Sequence, residues 1–369
     1  VLRIASPQQV TGNGRLYATI ANESEIVAGV AGQALDILGP VTQSASGRLR
    51  AGAGRLGLRS GGSVTGGEID RVGSGRFTVE GVASVASLRV NAPVDVVAGS
   101  TLSVQSVVND SEIVVNPSAS TNATTLRFDG AQTLGGNGTV RLNAPGLSAT
   151  QARIESGPGL TTLGPGQTLR GQGAVAGPVR VEGLIAPGLA PATTGTISFL
   201  NAPELTPTTG VRIKLASGVL YDRLTMAQAY TLEGELSVTL VGAFNPVGTN
   251  VFTIVDGATG ATRTGGFTSF SLPTPPPSSV ERRWRLSYTP EDVSLRLTCR
   301  ADFNADGLVD LEDFLYFAYA YTEFLCPTPG SEQFPLQPEP CPADLTDDGQ
   351  VDNDDFVPFV DAYLLLLCQ

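Results

Sequence analysis

Histidine is absent from this 369-residue chain, and its absence removes several kinds of chemistry. Ser-His and Cys-His catalysis need an imidazole as general base, and many zinc sites use one as a ligand. Lysine is reduced to Lys214, and the other basic residues of the first 298 positions are scattered arginines. Because no basic stripe is present to bind phosphates, the sequence indicates no nucleic-acid partner.

Long apolar runs are scarce as well. The run Tyr363–Cys368 near the end is far shorter than the about 20 residues that a membrane-spanning helix needs. The chain begins at Val1 rather than Met, and we expect a mature exported product whose signal segment has been removed. The sequence thus predicts no membrane span and a secreted, extracellular or cell-surface location.

Glycine and proline are abundant, with 44 and 25 residues, and 41% of the chain is hydrophobic. This apolar content is too high for a disordered chain and favours ordered, turn-rich β structure. Short apolar or alternating runs separated by Gly or Asn-Gly fill residues 1–191, with no helical period between them. Asn22–Val27 also recurs as Asn109–Val114, which corresponds to about four coils if one coil takes roughly 20 to 25 residues. The pattern predicts a right-handed parallel β-helix, or solenoid, with a β-sandwich or barrel as the alternative.

Residues 192–298 carry longer alternating runs. Strict alternation is typical of strands with one buried and one wet face, so this part predicts an antiparallel β cap or sandwich. The runs are Val211–Leu215, Leu236–Leu240, Val251–Val255, Trp284–Tyr288 and Val293–Leu297.

Loose motifs in this body resemble the C-terminal part of autotransporter-like β-helix surface proteins of bacteria. They are Gly183–Gly188, Tyr221–Leu224, Gly234–Leu236, Phe244–Pro246, Phe252–Val255, Gly266–Phe267 and Trp284–Tyr288. The resemblance implies a solenoid stalk closed by a β cap, with structural or adhesive work more usual than catalysis.

Residues 299–369 differ sharply in charge from the body. They contain 15 of the 35 acidic residues and only one base, Arg300, so this tail carries a charge of -14 and the body +2. So strong an acidic excess in a short segment suggests divalent cations as ligands.

Two acidic segments of this tail, Asp302–Asp313 and Asp344–Asp355, have the spacing of twelve-residue calcium loops. Calcium takes six to eight oxygen ligands, and Gly307 and Gly349 stand at position 6, where such a loop turns sharply. Two matches in register predict two calcium ions. The predicted ligands at positions 1, 3, 5, 7, 9 and 12, position 7 acting through its carbonyl, are Asp302, Asn304, Asp306, Leu308, Asp310 and Asp313, and then Asp344, Thr346, Asp348, Gln350, Asp352 and Asp355.

Each loop leads into a segment with helical periodicity, Asp313–Tyr321 and Asp355–Tyr363. Pro358 is expected in the first turn of the second helix, where a missing N–H costs little. Val309 and Val351, at position 8 of the two loops, are expected to join through a short β contact.

Paired loop-then-helix units with no helix entering either loop resemble a dockerin. The four cysteines, Cys299, Cys326, Cys341 and Cys368, bracket the two units and resemble a cysteine-bracketed subtype at the C-termini of bacterial surface proteins. The resemblance implies calcium-dependent folding and a small EF-hand-like α-helical domain over 299–369. It also implies docking to a cohesin-like β domain or to the cell surface. Positions 10 and 11 depart from the Ser-Thr recognition pair of cellulosomal dockerins.

The cysteines indicate disulfides in an oxidising compartment, since they lack a Cys-x-x-Cys spacing for zinc. Three pairings are possible, and the sequence does not choose among them. The dockerin resemblance, in which the termini lie side by side, favours Cys299 with Cys368 and Cys326 with Cys341.

These features favour a non-enzymatic structural or adhesive surface protein with no catalytic residues, a β-rod anchored or assembled through its calcium module into a fibre or coat. Its partner would be a cohesin-like β domain, a cell-surface component or neighbouring copies. The alternative is a secreted polysaccharide-active enzyme or carbohydrate-binding protein carried on the same module, because a β-helix can use paired carboxylates without histidine.

Overall fold

The computed structural model describes residues 1–248, 250–275, 282–323, 341–346 and 348–365, with only the backbone at Glu323 and Leu365. The described part is mainly β: it contains 37 strands, two α-helices and one short 3-10 turn at Ala149–Gln151. The mainly-β prediction is confirmed, and most of the strands are only three to five residues long. Glycine or proline separates many of these strands, which keeps them short.

The strands form one sheet of 25 and two of six, and nearly all pairings are parallel. The large sheet contains two ladders, which the strand Thr168–Ala176 joins because it pairs with both. The first ladder contains Leu2–Ile4, Ile20–Asn22, Pro40–Gln43, Ser63–Thr65, Val82–Ala86, Thr101–Gln105, Thr124–Phe128, Ala152–Ser156, Thr196–Phe199, Arg223–Met226 and Val251–Gly257. The second contains Gly14–Leu16, Ala34–Ile37, Arg55–Arg59, Phe77–Glu80, Val94–Val96, Glu112–Val115, Thr139–Asn143, Leu184–Pro187, Gly210–Leu215, Glu235–Leu240 and Ser269–Ser271.

The two smaller sheets follow one another along the chain. The first consists of Gln9–Gly12, Glu25–Ala28, Arg48–Ala51, Glu68–Arg71, Arg89–Val90 and Val108–Asn109. The second consists of Gln132–Leu134, Thr161–Leu163, Val179–Val181, Pro203–Leu205, Tyr230–Leu232 and Arg263–Gly265. An isolated parallel bridge between Val108 and Gly135 connects them. Partners along each ladder are roughly 20 to 30 residues apart, a spacing typical of repeat architectures.

One continuous apolar core lies between these ladders and extends from Ile4 to Leu297. Buried and less buried positions alternate along most strands, as in Thr101–Gln105 and Val179–Val181. The inward side chains of successive strands stack on one another, as Val64 does between Val41 and Val85. Each turn of the chain is therefore stabilised by its two neighbours rather than by contacts within itself.

The antiparallel arrangement predicted for residues 192–298 is wrong for most of that segment. Its strands from Thr196–Phe199 to Ser269–Ser271 continue the parallel ladders. Among the described strands of this segment, only Val251–Gly257 with Val293–Cys299, and Val293–Cys299 with Arg282–Tyr288, pair in the antiparallel sense, and one isolated antiparallel bridge joins Leu215 and Tyr221. Alternation misled the prediction because a parallel strand with one inward and one wet face alternates just as an antiparallel strand does.

The repeated Asn22 and Asn109 segments do not mark whole turns of the chain. Both asparagines are fully buried, but Asn22 ends a strand of the large sheet and Asn109 one of a six-stranded sheet. Each amide Nδ2 donates to a glutamine Oε1, that of Gln43 or of Gln167, at 3.0 Å. Four steps along the first ladder lead from Ile20 through Val41, Val64 and Val85 to Val104, and Asn109 ends the next strand along the chain. The expected spacing of about four coils therefore holds approximately, as four turns of the chain plus one further strand. Polar groups at a buried corner of the chain need hydrogen-bond partners in any part of the fold. The shared Asn motif meets this need in both places.

The chain's only lysine is buried in the second ladder. Lys214 Nζ lies 2.7 Å from Asp222 Oδ2 and also donates to the Pro187 carbonyl. Asp222 accepts from the backbone N–H of Gly195 at 2.8 Å and of Lys214 at 2.9 Å. Lys214 is 7% exposed and Asp222 is not exposed, so this pair ties three separate chain segments together inside the fold.

Two α-helices, α1 over Leu311–Glu323 and α2 over Asn353–Leu365, follow the acidic loops as predicted. They pack on a second core that is separate from that of the sheets. Pro358 lies inside α2 rather than in its first turn. The prediction placed it too early because α2 begins at Asn353, within the acidic segment, so Pro358 falls in the second turn.

Candidate metal centre

Each acidic loop turns at its glycine in the left-handed conformation. Gly307 has φ 95° and Gly349 has φ 90°, values that side-chain-bearing residues rarely adopt. In the first loop Ala305 also has a positive φ of 62°. The sharp turn predicted at position 6 is thus present in both loops.

The first and last aspartates of the first loop bind its backbone from inside. Asp302 accepts from the N–H of Asp306 at 3.2 Å and of Gly307 at 2.9 Å. Asp313 accepts from the N–H of Phe303 at 2.7 Å and of Asp310 at 3.0 Å. These four bonds fold the loop around the two carboxylates.

The second loop repeats this arrangement. Asp344 accepts from the N–H of Asp348 at 3.2 Å and of Gly349 at 2.8 Å. Asp355 accepts from the N–H of Thr346 at 2.9 Å and of Asp352 at 2.9 Å. Three of the four bonds thus recur at equivalent positions, and the equivalent of the Thr346 bond is the one that Asn304 N–H donates to Asp313 at 3.3 Å.

The remaining predicted ligands occupy equivalent places in both loops. Asp306 accepts from Leu308 N at 2.8 Å and Asp348 from Gln350 N at 2.9 Å, so the position-5 carboxylates match. At position 9, Asp310 accepts from Glu312 N at 2.9 Å and Asp352 from Asp354 N at 2.8 Å. Position 3 differs: the Asn304 amide donates to Asp306 and Glu312, whereas Thr346 Oγ1 donates to Asp355.

Burial gives the innermost carboxylates an electrostatic cost. Asp302, Asp313 and Asp355 are not exposed and Asp344 is 6% exposed. Burial raises the pKa of Asp313 to about 7 and also raises the pKa of Asp302. Nearby positive charge would lower this cost, since it favours the ionised form.

The donor set fits a hard cation. It contains carboxylate, amide, hydroxyl and main-chain carbonyl oxygens, the ligands that calcium takes. Among the residues that the structure describes, no three His, Cys, Asp or Glu side chains are arranged to hold a metal ion by themselves. Each loop would therefore need its amide or hydroxyl and its position-7 carbonyl. The side chain of Leu308 is 51% exposed, as expected if only its backbone takes part.

The loops and helices share a core built from repeated aromatic residues. The rings of Phe317 and Phe359 stack with centroids 4.6 Å apart, and Phe303 stacks on Phe359 at 5.8 Å. Val309 and Val351 are buried beside them. No β bridge joins these two valines, although both are described, so the predicted β contact is wrong. Their apolar packing fulfils the same joining role.

Arginine side chains connect this module to the last two strands, Arg282–Tyr288 and Val293–Cys299. Arg285 Nη2 donates to the Arg300 carbonyl at 2.8 Å, and Arg300 Nη2 donates to the Asp344 carbonyl at 2.8 Å. Arg296 Nη1 donates to the Ala305 carbonyl at 3.4 Å, and Thr298 Oγ1 donates to Asp302. Alternation within Trp284–Tyr288 and Val293–Leu297 placed Arg285 and Arg296 on strands, and Arg300 was noted as the one base of the tail. Neither observation indicated what these side chains would contact.

The described cysteines are not free thiols. Cys299 and Cys341 are disulfide-bonded, and Cys299 ends the last strand, inside the module's core. Cys326 and Cys368 lie outside the described residues, so the predicted pairing stays a prediction.

Neither helix, as far as it is described, is long and apolar enough to cross a membrane. No protein-family model matches the chain, and a search of curated proteins found no match.

Proposed function

We propose that this protein is a secreted, non-enzymatic structural or adhesive β-rod whose C-terminal module is dockerin-like and stabilised by two calcium ions. The observation that carries the proposal is the repeated hydrogen-bond network of the two loops, in which carboxylates equivalent in sequence bind equivalent backbone groups. A merely solvated acidic surface has no reason to bury four aspartates in matching positions.

The finer description of the rod belongs to the same proposal. Successive short strands along the chain enter three parallel ladders in turn, and each pairs with the strand one turn earlier. This arrangement supports a right-handed parallel β-helix. In it the body is a stiff spacer, and the final antiparallel pair closes its end against the module.

Calcium would supply positive charge to a group of buried carboxylates. In the first loop Asp302, Asp306 and Asp313, with Asn304 and the Leu308 carbonyl, would hold one ion, and Asp310 would act through water. In the second loop the corresponding holders are Asp344, Thr346, Asp348, Gln350, Asp352 and Asp355. Disulfides between Cys299 and Cys368 and between Cys326 and Cys341 would tie the ends of this small domain in an oxidising environment.

Calorimetry on the full chain tests the metal assignment. We expect binding of two calcium ions, and about one after Asp355→Asn, because the buried carboxylate that closes the second loop is lost. Asp354→Asn is the matched control: Asp354 is exposed on the first turn of α2, and it contacts the loop through its backbone N–H, which the substitution keeps. Absence of calcium binding by the unaltered chain would refute the assignment.

The partner of the module is proposed to be a protein: a cohesin-like β domain, a cell-surface component or a neighbouring copy. Apolar side chains exposed on the two helices support this, since soluble domains rarely expose such groups together without a contact to make. They include Leu311, Leu315, Val357 and Leu364.

Assembly with neighbouring copies predicts calcium-dependent particles. Electron microscopy and size-exclusion chromatography with and without chelator are expected to show fibres or oligomers that dissociate when calcium is removed. Leu315→Glu should abolish them, because a charge on the exposed apolar face opposes contact, whereas Val82→Glu on the rod should not. Monomers under all conditions would rule out self-assembly and leave a different protein as partner.

A further inference from the structure

The two loops repeat in sequence but differ in what surrounds their turns. The side chain of Arg296 covers Gly307, where a Cβ would collide with its guanidinium nitrogen Nη1. At the equivalent Gly349 a Cβ would meet nothing within 4 Å. The first loop is thus covered by a cation at the position where the second is open.

A second guanidinium lies beneath the first loop. Arg285 faces Arg296 across the antiparallel strand pair and is fully buried. Its Cζ lies 5.8 Å from the ring centroid of Phe303, the residue after Asp302. The second loop is contacted by Arg300 instead, through the main-chain carbonyl of Asp344.

Positive charges fixed near a cation site have two opposite effects. They stabilise the carboxylates while no metal is bound, and they repel a divalent ion that enters. A half-buried arginine is also screened less by salt than a solvent-exposed one.

We infer that Arg285 and Arg296 act as internal counter-cations of the first loop, keeping it folded without metal and making it the weaker of two unequal calcium sites. The inference rests on the proposed calcium function. It assigns the rod's terminal strands a direct part in setting calcium affinity. Because the first loop binds more weakly, the second site fills first and the first site fills only at higher calcium concentrations.

Single-site variants of the full chain test this. Asp344→Asn leaves the first loop as the working site, and Asp302→Asn leaves the second. Calcium titration calorimetry is expected to give weaker binding to the first loop. Adding Arg296→Gln to Asp344→Asn should tighten that binding roughly threefold to tenfold by removing one repelling charge. Arg296→Lys keeps the charge and should leave the affinity near its starting value, which a purely packing role would not predict.

The same Arg296→Gln change in the Asp302→Asn background is the matched control and should leave the affinity of the second loop unchanged. If Arg296→Gln does not fold, the salt dependence of the two single-site variants decides, because added NaCl should bring their affinities closer together. The inference would be overturned if the two single-site variants had equal calcium affinities that respond alike to salt, or if Arg296→Gln did not tighten calcium binding to the first loop. Either result would leave the two-site proposal intact. Absence of calcium binding in every variant would overturn both.

Discussion

Asp222→Ala is expected to lower the free energy of unfolding of the β-rod by about 3–5 kcal/mol, the cost of leaving one member of a buried ion pair alone. The carboxylate is the 2.7 Å partner of Lys214 Nζ and the acceptor for the N–H of Gly195 and of Lys214. Neither Lys214 nor Asp222 is exposed enough for water to replace these contacts. Chemical denaturation followed by circular dichroism at 215–220 nm, roughly where β structure absorbs, measures the change.

Lys214→Met is the control for this prediction. It leaves Asp222 bonded to two backbone N–H groups and replaces the lysine stem with an apolar chain of similar length. We therefore expect a smaller loss, and in the double variant Lys214→Met with Asp222→Asn a recovery toward the wild-type value. A loss below about 1 kcal/mol for Asp222→Ala would show that the pair is not buried as described.

The same pair predicts a pH dependence with a defined sign. Burial raises the pKa of Asp222 from 3.8 to about 6, against the lowering effect of Lys214. The folded state then binds the proton more tightly than the unfolded state, so the contribution of Asp222 to stability falls as pH rises through this interval and is constant above it. The difference in unfolding free energy between wild type and Asp222→Asn should shrink from pH 4 to pH 7. A difference that grows over this range would mean that pairing with Lys214 outweighs burial.

Removal of calcium is expected to unfold the C-terminal module and leave the rod folded. The module has a small core around Phe303, Phe317 and Phe359 and buries four aspartates. At free calcium about a thousandfold above the dissociation constant, each bound ion contributes about 4 kcal/mol, comparable with the whole stability of a small domain. Chelator should therefore abolish the helical signal of α1 and α2 and the lower of two calorimetric transitions.

The Asp222→Ala substitution and the removal of calcium are controls for each other. Asp222→Ala should shift only the rod transition, because Asp222 lies far from the module in the chain and its partners Lys214 and Gly195 both precede residue 299. Chelator should shift only the module transition, and Asp355→Asn should reproduce about half of its effect. A helical signal that is insensitive to chelator in the full chain would contradict the role assigned to calcium. Oxidising conditions must be kept in these measurements, since loss of a disulfide would itself destabilise the module.

Local chemistry made much of the module predictable from sequence. Gly307 and Gly349 stand where only glycine adopts the turn comfortably, and the spacing of Asp302, Asp313 and their repeats follows from the reach of a loop around a cation. The helices after the loops and the short strands of the body were predicted for the same reason. Hydrophobic periodicity, turn residues and helix-capping groups each determine local structure over a few neighbouring positions.

Long-range pairing was decided only by the tertiary structure. Alternation in Val211–Leu215 or Leu236–Leu240 fixes which face is buried but not the direction of the neighbouring strand, so parallel ladders where an antiparallel cap was expected could not be foreseen. The Asn22 and Asn109 motifs share a corner environment rather than a coil position for a similar reason. The sequence by itself determined the acidic loops, the helices and the β class, because their signals are local. The docking of Arg285 and Arg296 on one loop only, and the burial of Lys214 against Asp222, arose from chain segments brought together by folding, whose meeting leaves no pattern along the chain.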